Sequence, residues 1–264
     1  MVRPNRPVRL PACRNPRAAF KPQLKGGQER HVTAAYAILL YAGALILVLG
    51  LAVKIKQYAS TPAPLKIPTT PAPTTSGGVV LRMAREVFLF QSLFRANKWI
   101  WLFGWMFHAA LVLILARHLR YFTEPVWDWV ALIQPFGIYA GFAFVAGLAG
   151  LWVRRIVVER IRYITGPSDH LMLAILMGIA ASGLAMKFVA PTDIVAMKAF
   201  ILGLLYFDWQ PMPGDPAVLV HLALVALLMI VFPFSKLLHA PGVFFSPTRN
   251  QADNPRDVRY APGE

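Results

Sequence analysis

The sequence predicts an all-α integral membrane protein with five transmembrane helices. Of its 264 residues, 57% are hydrophobic and only 15% are charged, and the mean hydropathy is +0.52. Five apolar runs approach the roughly 20 helical residues that cross a hydrocarbon core, and none shows the alternation of a membrane β-strand. Since backbone polar groups in lipid must be satisfied internally, we expect helices near residues 33–53, 99–119, 132–153, 169–190 and 217–238.

The segments around these spans differ in composition and predict a single membrane domain with tails. A stretch rich in Pro and Thr follows span one and predicts an extended linker. After it, residues 79–98 mix apolar with basic residues, which suits an interfacial amphipathic helix or a cytoplasmic extension of span two. The functional alternative is a docking surface for a partner. The predicted segments are a basic leader at 1–32, the first transmembrane helix at 33–58, the linker at 59–78, the bundle of the other four helices with its interfacial helix at 79–240, and a C-terminal tail at 241–264.

The net charge of +15 reflects membrane orientation rather than nucleic-acid binding, because the basic residues lie between the spans and in the tails. Positive residues accumulate on the cytoplasmic side of membrane proteins. The connections between spans one and two and between spans three and four, together with the tail, are basic and share one side. We therefore expect a multi-pass protein of the bacterial inner (cytoplasmic) membrane with a cytoplasmic C-terminus. The basic leader conflicts with this orientation, and we expect it to stay attached because no convincing signal-peptidase site follows.

Cysteine usage limits the chemistry of any redox centre. The chain has one cysteine, Cys13, in the leader. A single thiol forms neither an internal disulfide, nor a C-x-x-C-H haem attachment, nor an iron–sulfur cluster. A redox centre in this chain must be held by other ligands.

Four histidines lie in two of the spans and form the candidate site. Span two, WIWLFGWMFHAALVLILARHL, carries His108 and His118, and span five carries His221 and His239. Ionisable side chains at membrane depth are costly and predict function. Because the two spans run in opposite directions, His108 and His239 fall on the side of the C-terminal tail (the tail-side pair), and His118 and His221 fall on the opposite side (the loop-side pair).

Two facing imidazoles in an apolar helix bundle are what a six-coordinate b-type haem needs as axial ligands. Iron ligation, together with a hydrogen bond from the other ring nitrogen, would satisfy each buried imidazole. Ideal helix geometry gives about 15 Å between the histidines of span two and about 27 Å between those of span five. Pro233 can end or bend span five so that His239 reaches back. His170, at the start of span four, is the competing ligand for the tail-side site.

Three basic residues lie near the expected levels of the haem propionates. Arg117, Arg120 and Lys236 could pair with these carboxylates. They could equally be snorkelling anchors at the membrane surface.

The stretch FPFSKLLHAPGVFFSPTRN at residues 232–250 resembles the membrane cytochrome b family of the respiratory nitrate reductase gamma subunit. The chain is similar to that family in its five spans and in two histidine pairs, ten residues apart in span two and eighteen apart in span five. The tail and the loop before span two look more like the DsrM type, the cytochrome b subunit of the DsrMKJOP sulfur-metabolism complex. The resemblance implies a dihaem bundle, with one haem b held by His108 and His239 and the other by His118 and His221.

The resemblance also implies partners and a type of chemistry. It implies electron transfer between a membrane quinone, menaquinone or ubiquinone, and a cytoplasmic DsrK-like iron–sulfur subunit, with other DsrMKJOP-type subunits, in dissimilatory sulfur metabolism. In the nitrate reductase subunit a lysine helps to bind quinol, and Ile138 stands at that position here. The candidates for a quinone site near the loop-side pair are Glu124, Trp127, Asp128 and Gln134.

Two other functions fit a membrane protein that contains histidines. The first is a histidine-lined transporter or proton-conducting subunit, although the sequence has no inverted repeat and few intramembrane acids. The second is a structural anchor for soluble partners, in which the histidines would bind helix to helix.

Overall fold

The computed structural model describes residues 26–63 and 67–253, and these residues are mainly helical, with no strand among them. Residues 1–25 of the predicted leader, including Cys13, lie outside the described residues, as do 64–66 of the linker and 254–264 of the tail. The helices are α1 (Gly26–Ser60), α2 (Ser76–Leu89), α3 (Gln91–Ala96), α4 (Lys98–His118), α5 (Asp128–Val157), α6 (Glu159–Ile164), α7 (Pro167–Phe188), α8 (Ile194–Leu205), α9 (Pro216–Val231) and α10 (His239–Gly242).

Five of these helices, α1, α4, α5, α7 and α9, are long and apolar enough to cross a membrane when the short 3₁₀ turns that extend α4 and α9 are included. Most of their surface faces outward: Leu132 is 72% exposed and Val112 is 65% exposed. Exposed aliphatic side chains on this scale are expected where lipid replaces water. The prediction of an all-α protein with five transmembrane helices is confirmed.

The helices begin at residues whose side chains or backbones suit a helix N-terminus. The Asn97 side chain accepts a hydrogen bond from the backbone N–H of Ile100 (3.0 Å) at the start of α4. The Asp193 side chain caps α8 in the same way, by accepting from Val195 N–H at 2.8 Å. Pro216 occupies the first turn of α9, where its missing N–H costs nothing.

The spanning helices pack in the order α4, α5, α7, α9, α1. The contact between α4 and α5 is very close, because a Cβ on Gly147 would lie 2.7 Å from the Phe107 Cβ and 2.9 Å from the Phe103 carbonyl oxygen. A small residue at this position lets the two backbones approach. By contrast, α4 and α9 have almost no close backbone contact. Helices α4, α5, α7 and α9 therefore form an incomplete ring that is open between α4 and α9, the two helices that bear the histidines.

Helix α8 lies in the connection between spans four and five, where no helix was predicted from the sequence. Phe200 of α8 is fully buried and packs with Val218 of α9 and Ala37 of α1. On α1, the Tyr41 hydroxyl donates to the carbonyl of Leu204 at 2.7 Å. The helix was missed because twelve residues are too few for a span, and only packing against α1 and α9 buries its apolar face.

Span five ends earlier than its apolar run. Helix α9 stops at Val231, and two 3₁₀ turns, Phe232–Phe234 and Lys236–Leu238, lead into α10. Pro233 is buried here, and a Cβ on Gly50 of α1 would lie 2.5 Å from the Pro233 Cβ. Since proline lacks the N–H needed for a helical hydrogen bond and its ring clashes with the preceding turn, the helix ends. The chain then folds back toward α4.

The segment predicted as one interfacial helix is two helices, α2 and α3, that meet at Phe90, whose φ is 50°. Part of the predicted linker is packed, because Thr69 N–H donates to the Thr248 carbonyl and Asp253 N–H donates to the Pro73 carbonyl, both at 2.8 Å. Helix α1 also runs through Ser60, and α2 begins at Ser76, so both ends of the predicted linker are helical. The linker and the tail pair because each supplies backbone partners that the other lacks.

Candidate functional site

The loop-side pair consists of two nearly parallel imidazoles on facing helices. The ring centroids of His118 and His221 are 6.4 Å apart, and the ring planes differ by 8°. The Nδ1 of His118 lies 2.6 Å from the carbonyl oxygen of Ile114. The Nδ1 of His221 lies 3.0 Å from the carbonyl oxygen of Ile179 and 3.0 Å from the Ser182 hydroxyl.

The two imidazoles of the tail-side pair are separated by a similar distance, but their ring planes are oriented differently. The ring centroids of His108 and His239 are 6.0 Å apart, with the rings at 90°. The Nδ1 of His108 is 2.7 Å from the Gly104 carbonyl oxygen, and that of His239 is 2.9 Å from the Lys236 carbonyl oxygen. The end of α9 at Val231 explains this contact. The ten helical residues after His221 rise about 15 Å, which matches the spacing on α4, and the 3₁₀ turns carry His239 the rest of the way.

All four imidazoles therefore share one hydrogen-bonding arrangement. Each Nδ1 faces a backbone carbonyl, which selects the tautomer with the proton on Nδ1 and leaves the Nε2 lone pair available. Two metal–nitrogen bonds of about 2.0 Å, plus about 1.1 Å from each nitrogen to its ring centre, put the centres of two imidazoles on opposite sides of one metal about 6.2 Å apart. Both observed separations agree with this value, so the residues fit a bis-histidine metal centre.

A haem suits these pairs better than a bare metal ion does. Within residues 26–63 and 67–253, no group of three or more His, Cys, Asp or Glu side chains converges to hold a metal ion. Structural and catalytic zinc sites use three or four protein ligands, whereas haem iron needs only axial ligands from the protein. The opening between α4 and α9 lies where a flat macrocycle would be placed.

His170, the competing ligand, lies in a different environment. Its Nδ1 accepts a hydrogen bond from the Trp152 indole N–H at 3.0 Å. A neutral imidazole that accepts at Nδ1 carries its proton on Nε2, which therefore has no free lone pair. The structure brings His239, by contrast, against His108.

The two arginines predicted at the propionates lie beside the loop-side pair. The Nε of Arg117 is buried without a hydrogen-bond partner in the described part of the chain. A Cβ on Gly137 would lie 2.6 Å from the Arg117 Cδ, so the glycine leaves room for this side chain. The Nη1 of Arg120 donates to the Gln134 side chain at 3.1 Å. A buried, unsatisfied guanidinium nitrogen is costly, and an anionic group of a bound cofactor would satisfy it.

Lys236, the third predicted propionate partner, forms an ion pair with Asp169. Its Nζ is 2.7 Å from one carboxylate oxygen and 2.8 Å from the other. No role for Asp169 was predicted from the sequence, although an acid within an apolar span is by itself a signal of function.

Aromatic and small residues line both pairs. Phe90, at the corner between α2 and α3, packs edge-on against His108 with ring centroids 5.0 Å apart. At the loop-side pair, a Cβ on Gly183 would lie 3.4 Å from the Cε1 of His221. Neither Phe90 nor Ser182 was identified from the sequence, because their roles depend on contacts between distant segments.

The quinone candidates cluster around the loop between α4 and α5. Glu124 forms an ion pair with Lys198 of α8. Gln134, besides accepting from Arg120, donates to the Val130 carbonyl at 3.0 Å. Trp127 is 50% exposed, and Asp128 lies in the first turn of α5.

On the tail side, a cavity of about 560 Å³ opens beside His239. Ser235 and Lys236 line it from the 3₁₀ turns, and Tyr58 and Thr61 line it from the end of α1. The sequence did not indicate that the end of span one contributes to this site.

Five spanning helices and two facing histidine pairs place the chain in the class of all-α membrane cytochromes b. The model of the nitrate reductase gamma subunit family matches residues 74–259, and the chain belongs to this family. The resemblance predicted from residues 232–250 is confirmed, and the relatives are consistent with a DsrM-type, Hdr-like subunit.

Two relatives carry the same name, Hdr-like menaquinol oxidoreductase cytochrome b-like subunit. The protein of Archaeoglobus fulgidus is 35% identical over 268 residues, which cover 84% of this chain and 81% of the relative. The protein of Archaeoglobus profundus is 34% identical over 266 residues, which cover 81% of this chain and 78% of the relative.

Proposed function

We propose that this chain is the membrane cytochrome b subunit of a quinone-linked electron-transfer complex and that it holds two b haems. One haem lies between His108 and His239, and the other lies between His118 and His221. The observation that carries the proposal is the shared geometry of the two pairs, with centroids 6.0 and 6.4 Å apart and every Nδ1 on a backbone carbonyl.

The residues of the chain hold, orient and shield the proposed cofactors. When bound, haem supplies one-electron redox chemistry at a potential that its ligands and burial adjust. The imidazoles bind through Nε2, while the carbonyls of Gly104, Ile114, Ile179 and Lys236 fix their rings. The ten-residue spacing of His108 and His118 separates the two levels by about 15 Å along α4, which provides two steps across the membrane.

At the loop-side pair we infer a quinone site that includes Glu124, Trp127, Asp128 and Gln134. The names of the two relatives, as menaquinol oxidoreductase subunits, support a quinone partner. Quinol oxidation releases protons, and the Glu124 carboxylate, paired with Lys198, lies at the membrane edge where it could accept one. Arg117 and Arg120 would hold the propionates of the loop-side haem, and Lys236 would stand at the level of the tail-side propionates.

The chain is a multi-pass membrane protein. We propose that it lies in the cytoplasmic membrane with its C-terminal tail in the cytoplasm, because the basic connections share the tail side. The electron partner on that side would be a DsrK-like iron–sulfur subunit of a DsrMKJOP-type complex that serves dissimilatory sulfur metabolism. The basic surface of α2, α3 and the tail would face this partner.

Haem counting with single histidine variants tests this function. The unmodified protein should show b-type absorption in a reduced-minus-oxidised spectrum, with two haems per chain. Alanine at any one of His108, His118, His221 or His239 should remove one haem, because each site loses an axial ligand. His170→Ala is the matched control and should keep both, since His170 contacts Trp152.

The transporter and anchor alternatives make opposite predictions. A histidine-lined transporter or a structural anchor would show no b-type absorption in the unmodified protein. Retention of two haems in both His118→Ala and His221→Ala would also contradict the proposed ligands.

A further inference from the structure

His239 is the proposed ligand that helix packing constrains least. It follows two 3₁₀ turns rather than lying within a long helix, and its side chain is exposed. The other three proposed ligands lie on α4 and α9, whose backbones are fixed by their helical hydrogen bonds. Pro233 packs against Gly50 of α1 at the start of the segment from Phe232 to His239, and Lys236 makes an ion pair nearer to His239.

The only ion pair from the helical bundle to this segment, among the described residues, joins Asp169 and Lys236. The Asp169 side chain is only 4% exposed. Its carboxylate is anchored at the start of α7, where Oδ2 accepts from the Gly166 backbone N–H at 3.1 Å. Arg155 of α5 approaches the same oxygen at 3.8 Å. The Lys236 side chain is 74% exposed, but the Asp169 end of the pair is buried, and a buried carboxylate without a cationic partner is unfavourable.

The backbone of Lys236 connects the ion pair to the imidazole of His239. The ammonium group of Lys236 binds both oxygens of Asp169, at 2.7 and 2.8 Å. The backbone carbonyl of the same Lys236 faces the Nδ1 of His239 at 2.9 Å. Within the turn, the Ser235 hydroxyl accepts from Leu237 N–H at 3.2 Å, so a side chain on one side of Lys236 is bonded to the backbone on the other. The orientation of the His239 ring therefore depends on the position that Asp169 gives to Lys236.

We propose that Asp169 is a positioning residue for His239 and acts through Lys236. This inference rests on the proposed function, in which His239 is a haem ligand. It also assigns Lys236 a task different from binding a propionate: its side chain holds α7, and its carbonyl orients the imidazole.

The test measures the tail-side haem in purified full-length protein and uses the loop-side haem as an internal reference. In Asp169→Asn the amide still accepts from Gly166 but loses the ion pair. We expect loss of at least half of the tail-side haem, or a shift of its potential and of its low-spin resonance, with the loop-side haem unchanged. Lys236→Met should produce the same change, whereas Lys236→Arg, which keeps the positive charge, should give the same signal as the unmodified protein.

The double variant of Asp169→Asn and Lys236→Met separates this inference from direct propionate binding. If the two residues act as one unit, the double variant should change the tail-side haem no more than either single variant does. An unchanged tail-side haem in Asp169→Asn, or additive effects in the double variant, would overturn the inference. The Lys236 variants keep the test valid if Asp169→Asn fails to fold.

Amide hydrogen exchange gives a readout that does not depend on haem. Residues 232–245 should exchange faster in Asp169→Asn and in Lys236→Met than in the unmodified protein, and Lys236→Arg should restore protection. Absence of b-type absorption from the unmodified protein would refute the proposed function, and with it the ligand role of His239. Unchanged exchange in a haem-loaded protein would refute only the role of Asp169.

Discussion

Enlarging Gly183 tests the loop-side pair without changing any ligand. A Cβ added at Gly183 would lie 3.4 Å from Cε1 of His221 and 3.7 Å from its Nδ1. Carbon atoms pack best at about 3.5–4.0 Å, so Gly183→Ala should require a shift of only a few tenths of an ångström and keep both haems. Gly183→Val adds two methyl groups toward a ring whose position is already fixed by the Ile179 carbonyl.

Overpacking of this kind costs about 1–3 kcal/mol. If that cost falls on the liganded state, haem affinity at the loop-side pair should drop between about fivefold and 150-fold. Haem content and the reduced-minus-oxidised spectrum, measured for the Gly, Ala and Val proteins, provide the assay. The tail-side haem should be unaffected in all three.

Gly178→Val is the matched control, because it lies on the same helix and faces α9 without facing a histidine. Its Cβ would lie 2.9 Å from the Leu224 Cδ1, the end of a flexible side chain. The control should retain two haems. If Gly183→Val also retains two haems with an unchanged loop-side potential, the deduced position of His221 is wrong.

Three further predictions address the two pairs separately. Pro233→Ala should let α9 continue and carry His239 away from its partner, so haem counting should show loss of the tail-side haem alone; two retained haems would contradict this. Ser182→Ala removes one polar neighbour of the His221 Nδ1 but leaves the Ile179 carbonyl. Redox titration should therefore show the potential of the loop-side haem rising by at most about 40 mV, the one-electron equivalent of one hydrogen bond. A larger rise, or a fall, would contradict this prediction. Perpendicular axial imidazoles leave two iron d orbitals closer in energy than parallel ones do, so paramagnetic resonance should show a larger maximum g value at the tail-side haem; identical signals would refute the deduced ring angles.

The spans and the identity of the histidines were predictable from the sequence because hydropathy is a local property. A run of about 20 apolar residues predicts a span in any tertiary context. The same reasoning placed His118 and His221 at one level of the bundle, since antiparallel helices reverse the order of their residues. The predicted role of Pro233 also followed from its local chemistry, because a proline removes a helical hydrogen bond and can end or bend a helix.

The contacts that define the candidate site were not predictable in the same way, because they depend on how distant segments pack. Ideal helices left a mismatch of about 12 Å between the two pairs, and the structure removes it by ending α9 at Val231. The neighbours of the two competing histidines also needed the fold, which places His170 against Trp152 and His239 against His108. The ion pair between Asp169 and Lys236 likewise forms only because α7 packs against the 3₁₀ turns.

The amino-acid sequence alone determined the membrane class, the number of spans and the four imidazoles, because each of these depends on the composition of a single segment. Tertiary structure decided which rings face each other, at what angle, and what holds them. The physical reason is that a hydrogen bond or an ion pair requires atoms within about 3–4 Å, and only the packing of α4, α7, α9 and the turns after Val231 brings such atoms together.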